Sequence, residues 1–129
     1  MSNEANPVPV SSETAEHYAW GVGCDGWHLL RTPTLSVITE RMEPDAAEVS
    51  HRHVRAQQFF FVLNGELALA FGGRRHRVAA RHGLHVPAGV VHQVLNVSDA
   101  AVDFLVISEP PSHGDRELVA MEVPGAQDN

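Results

Sequence analysis

Gln57-Gln-Phe-Phe-Phe-Val-Leu-Asn64-Gly65-Glu-Leu-Ala-Leu-Ala-Phe71 reads as two β-strands about a turn. The flanking segments are rich in the apolar and aromatic side chains that suit a pleated, half-buried surface. Asn-Gly between them accepts positive φ at both central positions of a tight hairpin turn. A hairpin over 57–71 is therefore expected, and Gly72-Gly73 supplies a second turn after which 74–78 returns to complete a meander. Working outward, further short strands fit 29–31, 35–41, 84–86, 92–96 and 102–108, separated by Pro, Gly and the turn material Asn96-Val-Ser-Asp-Ala100. Pro33, Pro44, Pro87, Pro110 and Pro111 interrupt the chain, and no stretch keeps helical apolar spacing for several turns. Many short, evenly spaced strands predict an all-β sandwich or barrel.

A chain of 129 residues has room for one hydrophobic core. No apolar run approaches the roughly 18 to 20 residues that a membrane span needs, so no membrane partner is expected. The opening Met-Ser-Asn-Glu-Ala-Asn-Pro lacks the basic start and apolar stretch of a secretory signal, which points to a cytoplasmic protein. Residues 1–18 are expected as a mobile arm, 19–117 as the barrel and 118–129 as a tail, the chain from Pro110 wrapping the surface. Cys24 is the single cysteine; it closes no intrachain disulfide and reads as a small buried hydrophobe.

The formal charge is −7, and the few arginines are scattered except near Arg74, Arg75 and Arg77, so nucleic acid is a poor partner. No lysine is present. That absence excludes Schiff-base chemistry and covalent pyridoxal anchoring, which require a lysine amine. Gly21-Val-Gly23-Cys-Asp-Gly26 formally matches a dinucleotide glycine pattern but lacks the strand before and helix after it, and reads as a glycine-rich loop.

The nine histidines matter through their spacing. His51 and His53 are two apart, so on a strand both side chains leave the same face and can reach one ion. Gln58 follows at an odd separation and joins them only if the chain bends near Arg55 and Ala56. His92 follows the turn Pro87-Ala-Gly89 on another strand and must be brought across by the fold. His85 alternates with Leu84 and Val86 and reads as a surface residue, as do His17, His28, His76, His82 and His113. Trp27 reads as core.

Glu48-Val-Ser-His51-Arg-His53, Gln58-Phe-Phe-Phe-Val-Leu-Asn-Gly65-Glu and Pro87-Ala-Gly89-Val-Val-His92-Gln-Val-Leu-Asn96 together resemble the two motifs of the cupin family, in order. The first motif of that family has two histidines one residue apart, an acidic residue five positions on and a glycine seven beyond that. Gln58 and Gly65 stand in the last two places. The resemblance runs over about 35–108, and the segment 104–116 further resembles a subset of small single-domain cupins. It implies a single double-stranded β-helix, or jelly-roll barrel, with His51, His53, Gln58 and His92 holding one divalent transition metal (Zn, Ni, Fe, Mn, Co or Cu). Three departures stand out: Gln58 replaces the acidic ligand, Asp45 a usual glycine, and Arg81-His82 the Gly-Asp that often opens the second motif.

Gln58 can ligate only through its amide oxygen, so the metal's charge is left uncompensated and an anionic, oxygenated small-molecule substrate is expected. Sites of this kind resemble the cupins that linearise unsaturated uronates, with the metal as Lewis acid in isomerase, lyase or ring-opening chemistry. Two other readings stand beside it. One is an O₂-dependent dioxygenase, less comfortable without a carboxylate ligand; the other is a barrel that holds a ligand without turning it over. Arg55, Phe60 and Phe104 are the candidates for contacting substrate, Arg55 by bidentate pairing with a carboxylate, and no residue is assigned to catalysis. Phe59, Phe61 and Leu63 on the outer sheet face, together with the resemblance, predict a homodimer.

Overall fold

The computed structural model describes residues 7–120, and among them eleven strands and no helix. One wall is a six-stranded antiparallel sheet in the order β1-β2-β3-β10-β5-β8, where β1 is Glu16–Trp20, β2 Cys24–Arg31, β3 Ser36–Met42, β5 Gln57–Asn64, β8 Gly83–Val86 and β10 Val102–Glu109. The facing wall joins β7-β6-β9 (β7 Arg74–Ala79, β6 Glu66–Phe71, β9 Gln93–Leu95) to the β11-β4 ladder (β11 Arg116–Leu118, β4 His51–His53). Bridges at Ala47–Leu95 and His51–His92 connect the two parts. This is a jelly-roll barrel.

The strand alternation read from the sequence is what fills it. Ile38 and Met42 on β3, Phe60 and Val62 on β5, and Phe104 and Val106 on β10 all point inward. Leu67 and Leu69 of β6 and Val94 of β9 close the core from the other side. At about 25 cal/mol per Å² of apolar surface, such fully buried side chains supply the main favourable free energy of folding.

Three expectations are corrected. Asn64-Gly65 does not turn a hairpin: β5 pairs with β10 and β8, whereas β6 pairs with β7 and β9. Only Gly65 has positive φ, at 91°, whereas the type I′ turn that Asn-Gly favours needs it at both centres and type II′ needs it at the first. The chain instead crosses here from one wall to the other, packed so tightly that a Cβ on Gly65 would lie 2.7 Å from the Ala101 carbonyl oxygen. The hairpin in this region is β6–β7, turned by Gly72 and Gly73 at φ 62° and 76°. The expected meander is thus one hairpin and one crossing.

Second, the arm expected over 1–18 loses its last residues to structure, since Glu16–Trp20 pairs with β2 from Glu16↔His28 to Trp20↔Cys24. Cys24 to Gly26, read as loop, lie in that ladder, and only Gly21 to Gly23 form the turn. Third, Leu118 of the expected tail pairs with His51. Residues 1–6 of the arm and 121–129 of the tail lie outside the described residues.

Candidate metal centre

His51 and His53 leave β4 on the inner face, 4% and 6% exposed, while Arg52 between them turns outward to pair with Glu117 of β11. The bend that Gln58 requires is present at Val54 and Arg55. It is held by a residue the sequence did not single out: the buried Asp115 carboxylate accepts hydrogen bonds from the backbone N–H of Arg55 at 3.0 Å and of Ala56 at 2.8 Å. Burial alone would raise this carboxyl's pKa, but those two N–H groups together with the Arg55 and His53 charges hold it below its ordinary value. His92 is brought across by the bridge to His51, with backbone bonds of 3.0 and 2.8 Å in the two directions. Gly89, at φ 86°, bends the preceding loop so that its N–H reaches the His53 carbonyl at 2.8 Å.

One nitrogen from each of the three rings lies within 4.8 Å of the others. Nδ1 of His51 bonds to the Val49 carbonyl and Nδ1 of His92 to the Val90 carbonyl, both at 2.9 Å. A carbonyl only accepts, so each ring carries its proton on Nδ1 and turns a lone pair inward on Nε2. Burial pushes His51 down to about 3 and His53 to about 4, and lowers His92 as well, so all three are neutral near pH 7. Nε2 of His92, Nδ1 of His53 and Oε1 of Gln58 are buried with no hydrogen-bond partner. Gln58 Nε2 donates to Ser108 Oγ at 3.0 Å, which leaves the amide oxygen as the free end. Buried acceptors without partners are costly and rare. The three clustered imidazoles and the free Gln58 amide oxygen are neutral donors of the kind that fit a borderline transition metal.

The cluster opens into a cavity of about 340 Å³. Its wall holds groups that the sequence reading missed: Tyr18, Glu40, Glu48 and Arg116. Carboxyls therefore stand on the same cavity wall, although none of them belongs to the histidine cluster. Glu40 projects inward from β3, its carboxyl pushed up to about 7 by burial against the opposing hydrogen bond from Tyr18, whose hydroxyl donates at 2.7 Å. Burial, then the Glu40 charge, pushes the Tyr18 phenol above its ordinary value. Glu48 is pushed up to about 8, chiefly by burial, and its Oε2 lies 3.5 Å from His51 Nδ1. Tyr18 reaches Glu40 by crossing Gly26, where a Cβ would stand 2.2 Å from the Tyr18 ring. A glutamate at a core-facing position of 35–41 was the available signal for Glu40. Nothing in the sequence pointed to Tyr18.

Of the substrate-contact candidates, only Phe60 lines the cavity. Phe104 is 0% exposed and packs in the core, its ring 6.3 Å from that of Phe60. Arg55 has a side chain 71% exposed and borders a different groove, with Thr34, Pro87 and Glu109, because the Asp115 bend turns it outward. His113, read as surface, stands at the cavity mouth with its ring 5.5 Å from that of His28. His85 is exposed, as read, and hydrogen-bonds Gln57.

The family described as cupin domain matches residues 38–108. No curated protein sequence matches the chain. Among solved structures, KdgF from a Halomonas species superposes with TM-score 0.71 at 16% identity, over 78% of this chain and 93% of that one. The polyketide cyclase RemF from Streptomyces resistomycificus gives 0.75 at 16% identity, over 92% and 90%. A sugar phosphate isomerase of the cupin superfamily from Silicibacter pomeroyi gives 0.70 at 24% identity, over 79% and 75%. At these identities the likeness is one of fold.

Proposed function

The chain belongs to the cupin domain family, and from that premise we propose that it is a metal-dependent enzyme moving a proton next to a carbonyl in a small oxygenated metabolite. The observation that carries this is one cavity whose wall holds His51, His53 and Gln58, with His92 clustered behind them, together with a carboxyl whose pKa is near neutrality. His51, His53, Gln58 and His92 would hold the metal, which when bound supplies a Lewis acid for a carbonyl oxygen. The chain's own groups handle the proton. Ionised Glu40 takes it from the carbon beside the carbonyl, and the resulting carboxyl returns it to another carbon, which isomerises the substrate or sets up elimination or ring opening. Tyr18 O–H holds the carboxylate in place through each transfer. A carboxyl poised near 7 is matched to this role, because both its protonation states are populated at working pH. Ile38, Phe60 and Val106 line the same space with apolar surface that limits water around the reacting carbon. A cyclase and an isomerase among the structures of the same fold are in keeping with this chemistry.

Metal content by mass spectrometry and deuterium uptake by NMR test the reading together. The purified protein is expected to carry about one divalent ion per chain, lost in a His51→Ala, His92→Ala double variant. On a panel of enolisable oxo acids in D₂O, the loaded protein should wash deuterium into the carbon beside the carbonyl, faster as pH rises through about 7 and Glu40 ionises. Glu40→Gln should keep the metal and lose roughly 100-fold or more of the rate. Metal retained by the double variant would remove the site, and full exchange by Glu40→Gln would remove the proton role. Oxygen uptake by the iron- or nickel-loaded protein would move the assignment to a dioxygenase.

A further inference from the structure

Arg116 stands at the cavity mouth between two anchors. On one side is Asp115, whose carboxylate is tied to the Arg55 and Ala56 backbone. On the other is Glu117, paired with Arg52 on the outer face. The β11–β4 ladder sets Arg116 directly opposite His53. Opposite residues of an antiparallel pair project to the same side of the sheet. The Arg116 side chain therefore shares the face of His53, in agreement with its place on the cavity wall. Among the described residues no carboxylate lies within ion-pair distance of it; Arg31, Arg41, Arg52, Arg55 and Arg77 each have an acidic partner, and Arg74, Arg75 and Arg81, which have none, do not line this cavity.

A backbone fixed on both sides that offers an unpaired guanidinium to a cavity is suited to hold an oxyanion, since the planar fork of donors matches a carboxylate. The imidazole and amide donors beside it bring no negative charge, and the carboxyl whose titration the Arg116 charge lowers is Glu48 on the same wall. Glu40 and Glu48 share the same 340 Å³, which disfavours a dianion such as a phosphate monoester. Ile38, Phe60 and Val106 leave an apolar stretch between mouth and interior. We propose that Arg116 receives the carboxylate of the substrate, so that the cavity takes a small monocarboxylate with an apolar body, its carboxylate at the mouth and its reacting carbon toward Glu40. This rests on the cavity being the substrate pocket. Arg55, the arginine that the sequence suggested for the same role, faces a different groove and serves as the control.

Calorimetric titration of the full chain with phenylpyruvate, benzoate, the phenylpyruvate amide and phenyl phosphate tests it, with metal content read on the same samples. Phenylpyruvate is expected to bind and its amide to bind far more weakly. Arg116→Ala should weaken phenylpyruvate roughly 10-fold to 100-fold, with Arg116→Lys in between because a point charge replaces the fork. Arg55→Ala should stay within about twofold of the parent, as expected for an exposed ion-paired side chain. Unchanged binding in Arg116→Ala, an equal loss in Arg55→Ala, tighter binding of phenyl phosphate than phenylpyruvate, or no carboxylate binding to the parent would each overturn the assignment. Metal retained through any of these outcomes leaves the metal reading intact, so the two fail separately.

Discussion

Asp45 and Arg81 are the two described residues other than glycine with positive φ, 70° and 68°. They occupy two of the places where this sequence departs from the family's glycines. The left-handed conformation costs an L-residue about 1 to 2 kcal/mol, less for Asp, whose short side chain tolerates it. The fold holds both there through backbone bonds, Asp45 N–H to the Asn96 carbonyl at 2.9 Å and Arg81 N–H to the Val62 carbonyl at 2.8 Å. Arg81→Gly is therefore expected to stabilise the protein by about 0.5 to 1 kcal/mol after the extra chain entropy of glycine, and Asp45→Gly by less. Thermal melts check this, and a lowered midpoint for Arg81→Gly would show that the strain is relieved by contacts of the arginine itself. At this scale the shared inner face of His51 and His53 was legible because a two-residue spacing on a strand defines a face. Tyr18 was not legible, because its role depends on Gly26 having no side chain in its path.

Single elements of this barrel show how local signals are overruled. The Asn64-Gly65 pair favours a hairpin, but the inward faces of β5 (Gln58, Phe60, Val62) and β6 (Leu67, Leu69) belong to opposite walls. Burying both faces requires the chain to cross rather than fold back. The β1–β2 hairpin shows the converse, an element that puts Tyr18 on the cavity wall from a stretch read as arm and loop. Gly26→Ala places a Cβ 2.2 Å from the Tyr18 ring, so the ring must leave and its bond to Glu40 must break. The variant should match Tyr18→Phe in proton-exchange rate and in the pH at which exchange rises, with metal content unchanged. An exchange profile like that of the parent would mean that Tyr18 reaches Glu40 by another path, or that Glu40 does not need it.

The molecule as a whole leaves an apolar strip on the outer face of the six-stranded sheet. Phe59 and Leu63 are 39% and 37% exposed, and Phe59 and Phe61 stand opposite Ile107 and Leu105 in the ladder. A second copy covering this strip is the expected arrangement. Sedimentation should give twice the 14.0 kDa chain mass and fall to the monomer in Phe59→Glu, whereas a monomeric parent would sink the idea. The sequence by itself determined the all-β character, the family and the shared face of His51 and His53, because alternation and motif spacing are local properties of the chain. Which wall each strand joins, which glutamates enter the cavity and which arginine faces it were decided only in three dimensions. Those properties depend on pairings between residues far apart in sequence: Asp115 with the bend at Arg55, Arg116 opposite His53, and Tyr18 across Gly26 to Glu40. No local pattern encodes such pairs, since each partner is an ordinary polar residue until the barrel closes.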